Sequence, residues 1–153
     1  MNALKGVLLG AMVLCTPLLA LSINDGTKKV MAEAAKTTHE ITPQQLQRLI
    51  DKDEPLYLID IREKDQQLHG EIFHMNLIRI TRGYLEFKVE REIPDKKARV
   101  IVYCCTGKRG LLAAKTLTDM GYTNVYSLKG GIRAWVEEGH VLDTAYGEMV
   151  LKH

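Results

Sequence analysis

The stretch Val100 to Gly110, VIVYCCTGKRG, decides how the rest of the chain is read. It opens on β-branched Val100, Ile101 and Val102, which suit a pleated, buried strand. The apolar run stops at adjacent Cys104 and Cys105, and Thr106, Gly107, Lys108, Arg109 and Gly110 follow. Beyond them, GLLAAKTLTDMGY puts Ala113, Ala114, Leu117 and Met120 on one helical face, with Gly121 as its stop. A buried strand therefore passes through a tight loop into an amphipathic helix, and Cys104 sits at the carboxyl end of that strand. Ligands of open α/β sheets bind at such ends. The first N–H groups of a helix have no internal partner and attract anions. With Lys108 and Arg109 beside them they favour thiolate, the nucleophilic form of cysteine. Gly107 allows the backbone to curl at positive φ. The same donors would draw in an anionic substrate and steady charge in a transition state. The plainer alternative is a buried cysteine at a strand end beside solvated cations.

Working outward, the pattern repeats. Thr42, Pro43 and Gln45 form a helix start with a capping box, followed by Leu46, Leu49 and Ile50 on one face. PLYLIDIR reads as a buried strand, residues 63–69 as a short polar helix ended by Gly70, and NLIRI as a further strand. RGYLEFKVERE reads as a helix closed by Pro94. After the cysteine unit come NVYSL, a last strand, and GGIRAWVEEGH, a helix with Ile132, Trp135 and Val136 inward. Strands alternating with helices predict a single α/β domain: a mostly parallel central sheet with helices on both faces.

Three stretches in order resemble the rhodanese-like sulfurtransferases. VYCCTGKRG is similar to their active-site loop, with Cys first, Gly fourth and Arg sixth. LYLIDIREKDQQLHGEI resembles their Asp-x-Arg-Glu strand end, and NVYSLKGGIRAWVEEGH their closing strand, Gly-Gly turn and Trp helix. ITRGYLEFKVE resembles a segment of single-domain members, so the resemblance spans about residues 38–141. It implies that Cys104 is the sulfur-accepting nucleophile. It implies that Cys105, Thr106, Gly107, Lys108, Arg109 and Gly110 bind substrate, and that Asp60 and Arg62 brace the loop; a surface salt bridge is the bland reading of that pair. The implied reaction is ping-pong: sulfane sulfur passes from a donor such as thiosulfate to a Cys104 persulfide, then to cyanide or a thiol. No metal or organic cofactor is implied. The partners would be a small anionic sulfur donor, a thiol acceptor and a sulfur-relay protein. Related phosphatases use a loop one residue longer than Cys104–Arg109, which favours sulfur over phosphate chemistry. Two departures stand out: GEIFHM replaces the family's usual Gly-His-Ile-Pro-Gly-Ala, and Gly110 replaces a frequent hydroxyl residue. Cys105 is read as a small neighbour turned into the core, with a resolving thiol as the sharper alternative. The rival functions are a persulfide carrier with little turnover, and a dithiol oxyanion reductase of arsenate type using Cys104 and Cys105.

The ends and the composition set further bounds. Residues 1–22 carry only Lys5 before an apolar run with small Ala20 and Ser22, the layout of an export signal. Export, periplasmic in a bacterium, is the expectation; a retained membrane anchor is the alternative. Residues 23–37 read as a tether containing at most a turn of helix, and 142–153 as a tail beyond the domain. The net charge of +2 gives no global field for nucleic acid. His39, His69, His74, His140 and His153 lack the spacing of a metal site.

Overall fold

In a computed structural model that describes residues 25–150, the elements run α1 (Asp25–Thr37), β1 (His39–Ile41), α2 (Pro43–Asp51), β2 (Tyr57–Asp60), α3 (Lys64–Gln67) and β3 (Leu77–Arg79). A 3-10 turn (Arg82–Tyr84) leads into α4 (Leu85–Glu92), followed by β4 (Val100–Tyr103), α5 (Lys108–Asp119), β5 (Val125–Leu128), α6 (Gly131–Glu137), β6 (Leu142–Thr144) and β7 (Gly147–Met149). The central sheet has the order β1-β5-β4-β2-β3, and each neighbouring pair is parallel. From β2 the chain steps outward to β3, then crosses to β4 on the other side of β2. The strand order therefore reverses between β2 and β4, and a crevice opens beyond their carboxyl ends. Asp60 and Cys104 emerge on either side of it.

The pleat divides the core. Ile59, Ile61, Val100, Val102 and Cys104 face Leu85 and Val89 of α4 and Ala113, Ala114 and Leu117 of α5. Leu58, Ile101, Tyr103 and Leu128 face Leu46 of α2 and Ile132 and Trp135 of α6. Each fully buried aliphatic side chain contributes about 1.5–3 kcal/mol, so these two layers carry the fold. Because successive strand residues point to opposite faces, the two adjacent cysteines leave β4 on opposite sides.

The capping box of α2 forms as the sequence predicts: Thr42 Oγ1 accepts from Gln45 N–H at 3.2 Å and Gln45 Oε1 from Thr42 N–H at 2.9 Å. Other segments differ from expectation. Helix α5 starts at Lys108 rather than Gly110, because left-handed Gly107 (φ 85°) turns the chain directly into the helix. His39–Ile41, which has no strand signal, becomes an edge strand through its pairing with β5. Residues 25–37, expected as a tether, form a helix of 13 residues packed on α5 with Ala34 wholly buried. Residues 142–149, expected as a tail, form the hairpin β6–β7, tied to Glu71 by Asp143 through backbone hydrogen bonds of 2.8 and 2.9 Å. The expected export signal, residues 1–22, lies outside the described residues. No described helix is long and apolar enough to cross a membrane.

Candidate active site

The loop from Cys104 to Gly110 is shaped from behind by the start of α6. Ile132 N–H donates to Cys104 C=O at 2.9 Å, and Arg133 N–H to Cys105 C=O at 3.0 Å. This contact requires Gly131: a Cβ there would fall 2.4 Å from Cys104 O and 2.7 Å from Gly107 N, and its φ is +64°. In a trans peptide the N–H opposes the C=O. Fixing these two carbonyls on α6 therefore turns the N–H groups of Cys105 and Thr106 the other way. The backbone N–H groups from Cys105 to Arg109 find no acceptor among the described residues, while that of Gly110 donates to Cys104 Sγ at 3.4 Å. The loop thus carries a run of unpartnered amides next to a sulfur that already accepts from Gly110 N–H, a combination suited to holding an anion.

The opposite wall is built on Asp60 and Arg62. Asp60 is wholly buried and Arg62 is 4% exposed, so this is not a surface pair. Arg62 Nη2 meets Asp60 Oδ2 at 2.6 Å, and Arg62 Nε lies 3.0 and 3.1 Å from its two oxygens. The Tyr103 hydroxyl donates to Asp60 Oδ2 at 2.9 Å. Arg62 also holds Gln66 C=O at 3.0 Å and Gly70 C=O at 2.7 Å. Burial works against the Arg62 charge, yet the Asp60 hydrogen bonds and charge raise its pKa above the ordinary arginine value. Burial and the Asp60 charge push the Tyr103 phenol well above its ordinary value. The pair thus clamps the segment 62–70 and the residue before Cys104. It makes no hydrogen bond to residues 104–110 themselves.

The remaining predicted residues separate into three groups. Cys104 is 1% exposed and lies in the α4–α5 layer. Cys105 is half-buried, not core: its Sγ lies 3.5 Å from Arg109 Nη2, and it lines a groove of about 440 Å³ with Arg62, His69, Arg133, Val136 and Leu142. The earlier expectation failed because the pleat that buries Cys104 turns Cys105 out toward the crevice. The Arg109 guanidinium bridges from Cys105 to α3, donating to Gln66 Oε1 at 2.9 Å and approaching Glu63 Oε1 at 3.5 Å. Thr106 and Lys108 are exposed. Glu71, within the divergent GEIFHM stretch, pairs with Arg79 rather than entering the cradle. Sequence reasoning missed Tyr103, Gln66 and Gly131; only the Gly130–Gly131 pair left a signal, as a tight turn.

A five-stranded parallel sheet with a strand-end cysteine followed by unpartnered amides defines a single-domain α/β protein of the kind that binds ligands at a strand-order reversal. The rhodanese-like domain family matches residues 42–138. Thiosulfate sulfurtransferase GlpE of Actinobacillus succinogenes is 32% identical over 71% of this chain and 93% of its own length. The GlpE protein of Haemophilus influenzae strain PittEE is 31% identical over 70% and 96%. The polysulfide-sulfur transferase of Wolinella succinogenes, solved as a homodimer, superposes with a TM-score of 0.66 at 28% identity, covering 86% of this chain and 93% of that one. The chain belongs to the rhodanese-like domain family and is a rhodanese-like sulfurtransferase.

Proposed function

We propose that the protein moves sulfane sulfur from a small anionic donor, thiosulfate, through a persulfide on Cys104 to a thiol, or to cyanide in an assay. The observation that carries this is the placement of Cys104 Sγ against Gly110 N–H, beside a loop whose Cys105–Arg109 amides have no acceptor among the described residues. The Cys104 thiolate attacks the outer sulfur of thiosulfate. The sulfur–sulfur bond of the donor breaks, its electron pair leaves with sulfite, and Cys104 keeps the sulfur as a persulfide. An acceptor thiolate or cyanide then attacks the outer sulfur and restores the Cys104 thiolate. The loop amides and Lys108 draw in the donor and steady its oxyanion, and Arg109 bounds the cradle on the α3 side. Asp60 and Arg62 hold that wall in place. The scheme requires no metal or organic cofactor.

A thiosulfate:cyanide assay with mass spectrometry tests it. Wild type should yield thiocyanate and a protein heavier by one sulfur atom, and Cys104→Ser neither. Thiocyanate production that persists in Cys104→Ser would overturn the assignment. Wild type that makes no thiocyanate but loads sulfur from a partner persulfide would make the protein a carrier. We propose further that the domain acts outside the cytoplasm, following residues 1–22. Cell fractionation with N-terminal sequencing of the mature chain checks this, and an intact N-terminus in the soluble cytoplasm would refute it.

A further inference from the structure

Ser127 of β5 is wholly buried, yet its Oγ has no hydrogen-bond partner among the described residues. It stands in register with Val102 of β4, so the two share one face of the sheet. Cys104 follows Val102 on that same face, in the apolar layer beneath α5. Gly110, in the first turn of α5, touches both: its N–H donates to Cys104 Sγ at 3.4 Å, and a Cβ on it would fall 2.9 Å from Ser127 Oγ. A hydroxyl buried without an acceptor is destabilising, and an alanine here would avoid that cost. The orphan hydroxyl therefore stands on the Cys104 face of the sheet, against Gly110, with no acceptor among the described residues. A neutral thiol is a weak acceptor, whereas a thiolate is a strong one.

We propose that Ser127 is a further hydrogen-bond donor to the reacting sulfur. Turned about χ1 into another staggered well, its O–H donates to Cys104 Sγ when that atom carries negative charge. This rests on the reading of Cys104 as the sulfur carrier. The charge develops in the second half-reaction. An acceptor thiolate attacks the outer sulfur of the Cys104 persulfide, the sulfur–sulfur bond breaks, and its electron pair stays on Cys104 Sγ. The new persulfide leaves on the acceptor. The Ser127 proton is shared with the Cys104 thiolate and not transferred, so the hydroxyl is unchanged at the end of the cycle. The absence of a side chain at Gly110 leaves the space in which Ser127 Oγ lies.

The test separates this role from packing. Alkylation of Cys104 by iodoacetamide, resolved from Cys105 by fragment-ion mass spectrometry, is followed against pH for wild type, Ser127→Ala and the double variant Gly110→Ser/Ser127→Ala. Ser127→Ala should keep or raise the melting temperature, because it removes an unpartnered polar group. Its alkylation profile should move to higher pH, with alkylation near neutrality slowed roughly threefold to tenfold, the worth of one hydrogen bond. The double variant returns a hydroxyl from the α5 side and should recover most of that loss. A profile unmoved in Ser127→Ala overturns the proposal, and so does a folded double variant that recovers nothing. Alkylation needs no sulfur transfer, so a wild type that fails the thiocyanate assay leaves this result readable.

Discussion

Helices α5 and α6 begin alike and serve opposite ends. Each follows a left-handed glycine at its N-cap, Gly107 or Gly130, and neither has a side-chain cap. At α6 the first amides are already occupied: Ile132 and Arg133 donate to the carbonyls of Cys104 and Cys105. At α5 the amides of Cys105 to Arg109 have no acceptor among the described residues, and Gly110 N–H donates to Cys104 Sγ. Every helix start carries unpaired donors and partial positive charge. One start is used here to orient a loop, and that loop leaves the other open to an anion. A site of this kind needs both, because peptide groups aimed outward must be fixed by their carbonyls behind.

The comparison can be broken most severely from the wall that faces α6. Arg62→Ala leaves Asp60 buried without its cation and frees the carbonyls of Gln66 and Gly70. The expected loss is about 3–5 kcal/mol in urea unfolding; a loss below about 1 kcal/mol would show that the pair does not brace the crevice. Next comes Gly131→Ala, which forces a Cβ against Cys104 O at a φ of +64°. It should cost about 1–3 kcal/mol and lower sulfur transfer roughly a hundredfold through loop displacement. Gly139→Ala is the control: its φ is +78°, but nothing lies within 4 Å of a Cβ there, so transfer should be preserved. Equal activity losses in the two variants would detach α6 from the site.

Lys108→Ala probes the open side. The side chain is exposed and forms no ion pair among the described residues. The expected result is a several-fold rise in KM for thiosulfate that shrinks with added salt, with stability changed by less than about 0.5 kcal/mol. An unchanged KM would remove Lys108 from donor binding.

The smallest effect belongs to His74, far from both helix starts. Burial lowers its pKa below the ordinary histidine value, only partly offset by the Asp53 charge, and its Nδ1 accepts from Asn76 N–H at 3.1 Å. The neutral form is therefore the one the fold prefers. Its contribution is complete above the unfolded pKa and is lost as pH falls through the lower folded value. His74→Asn should flatten stability across that window by less than about 1 kcal/mol without altering transfer. A wild-type curve that rises on acidification there would contradict the sign.

Where local chemistry suffices, the sequence was legible. The α2 capping box, the β-branched β4 strand and the cysteine loop each follow from residue types at short spacing, whereas the helix read over residues 63–69 shortens to Lys64–Gln67 and ends before Gly70. They also reached the right fold and the right family. The segments that escaped are those whose structure depends on distant partners. His39–Ile41 has no strand pattern and pairs only because β5 offers an edge. Helix α1 has one wholly buried residue, Ala34, and takes its place from α5. The Asp60–Arg62 pair was visible as a strand-end motif, but its burial and its grip on Gly70 and Tyr103 were not.

The sequence by itself determined which residues could do chemistry and at what point of a strand–loop–helix unit they stand, because periodicity and glycine placement act over a few residues. Only the tertiary structure decided what each does there. It set Cys104 in the core layer and Cys105 on a groove, turned Arg109 toward Gln66, and brought Gly131 and Ser127 against the loop. The physical reason is that pleat direction, close backbone approach and hydrogen-bond satisfaction depend on elements that meet only after the sheet has formed.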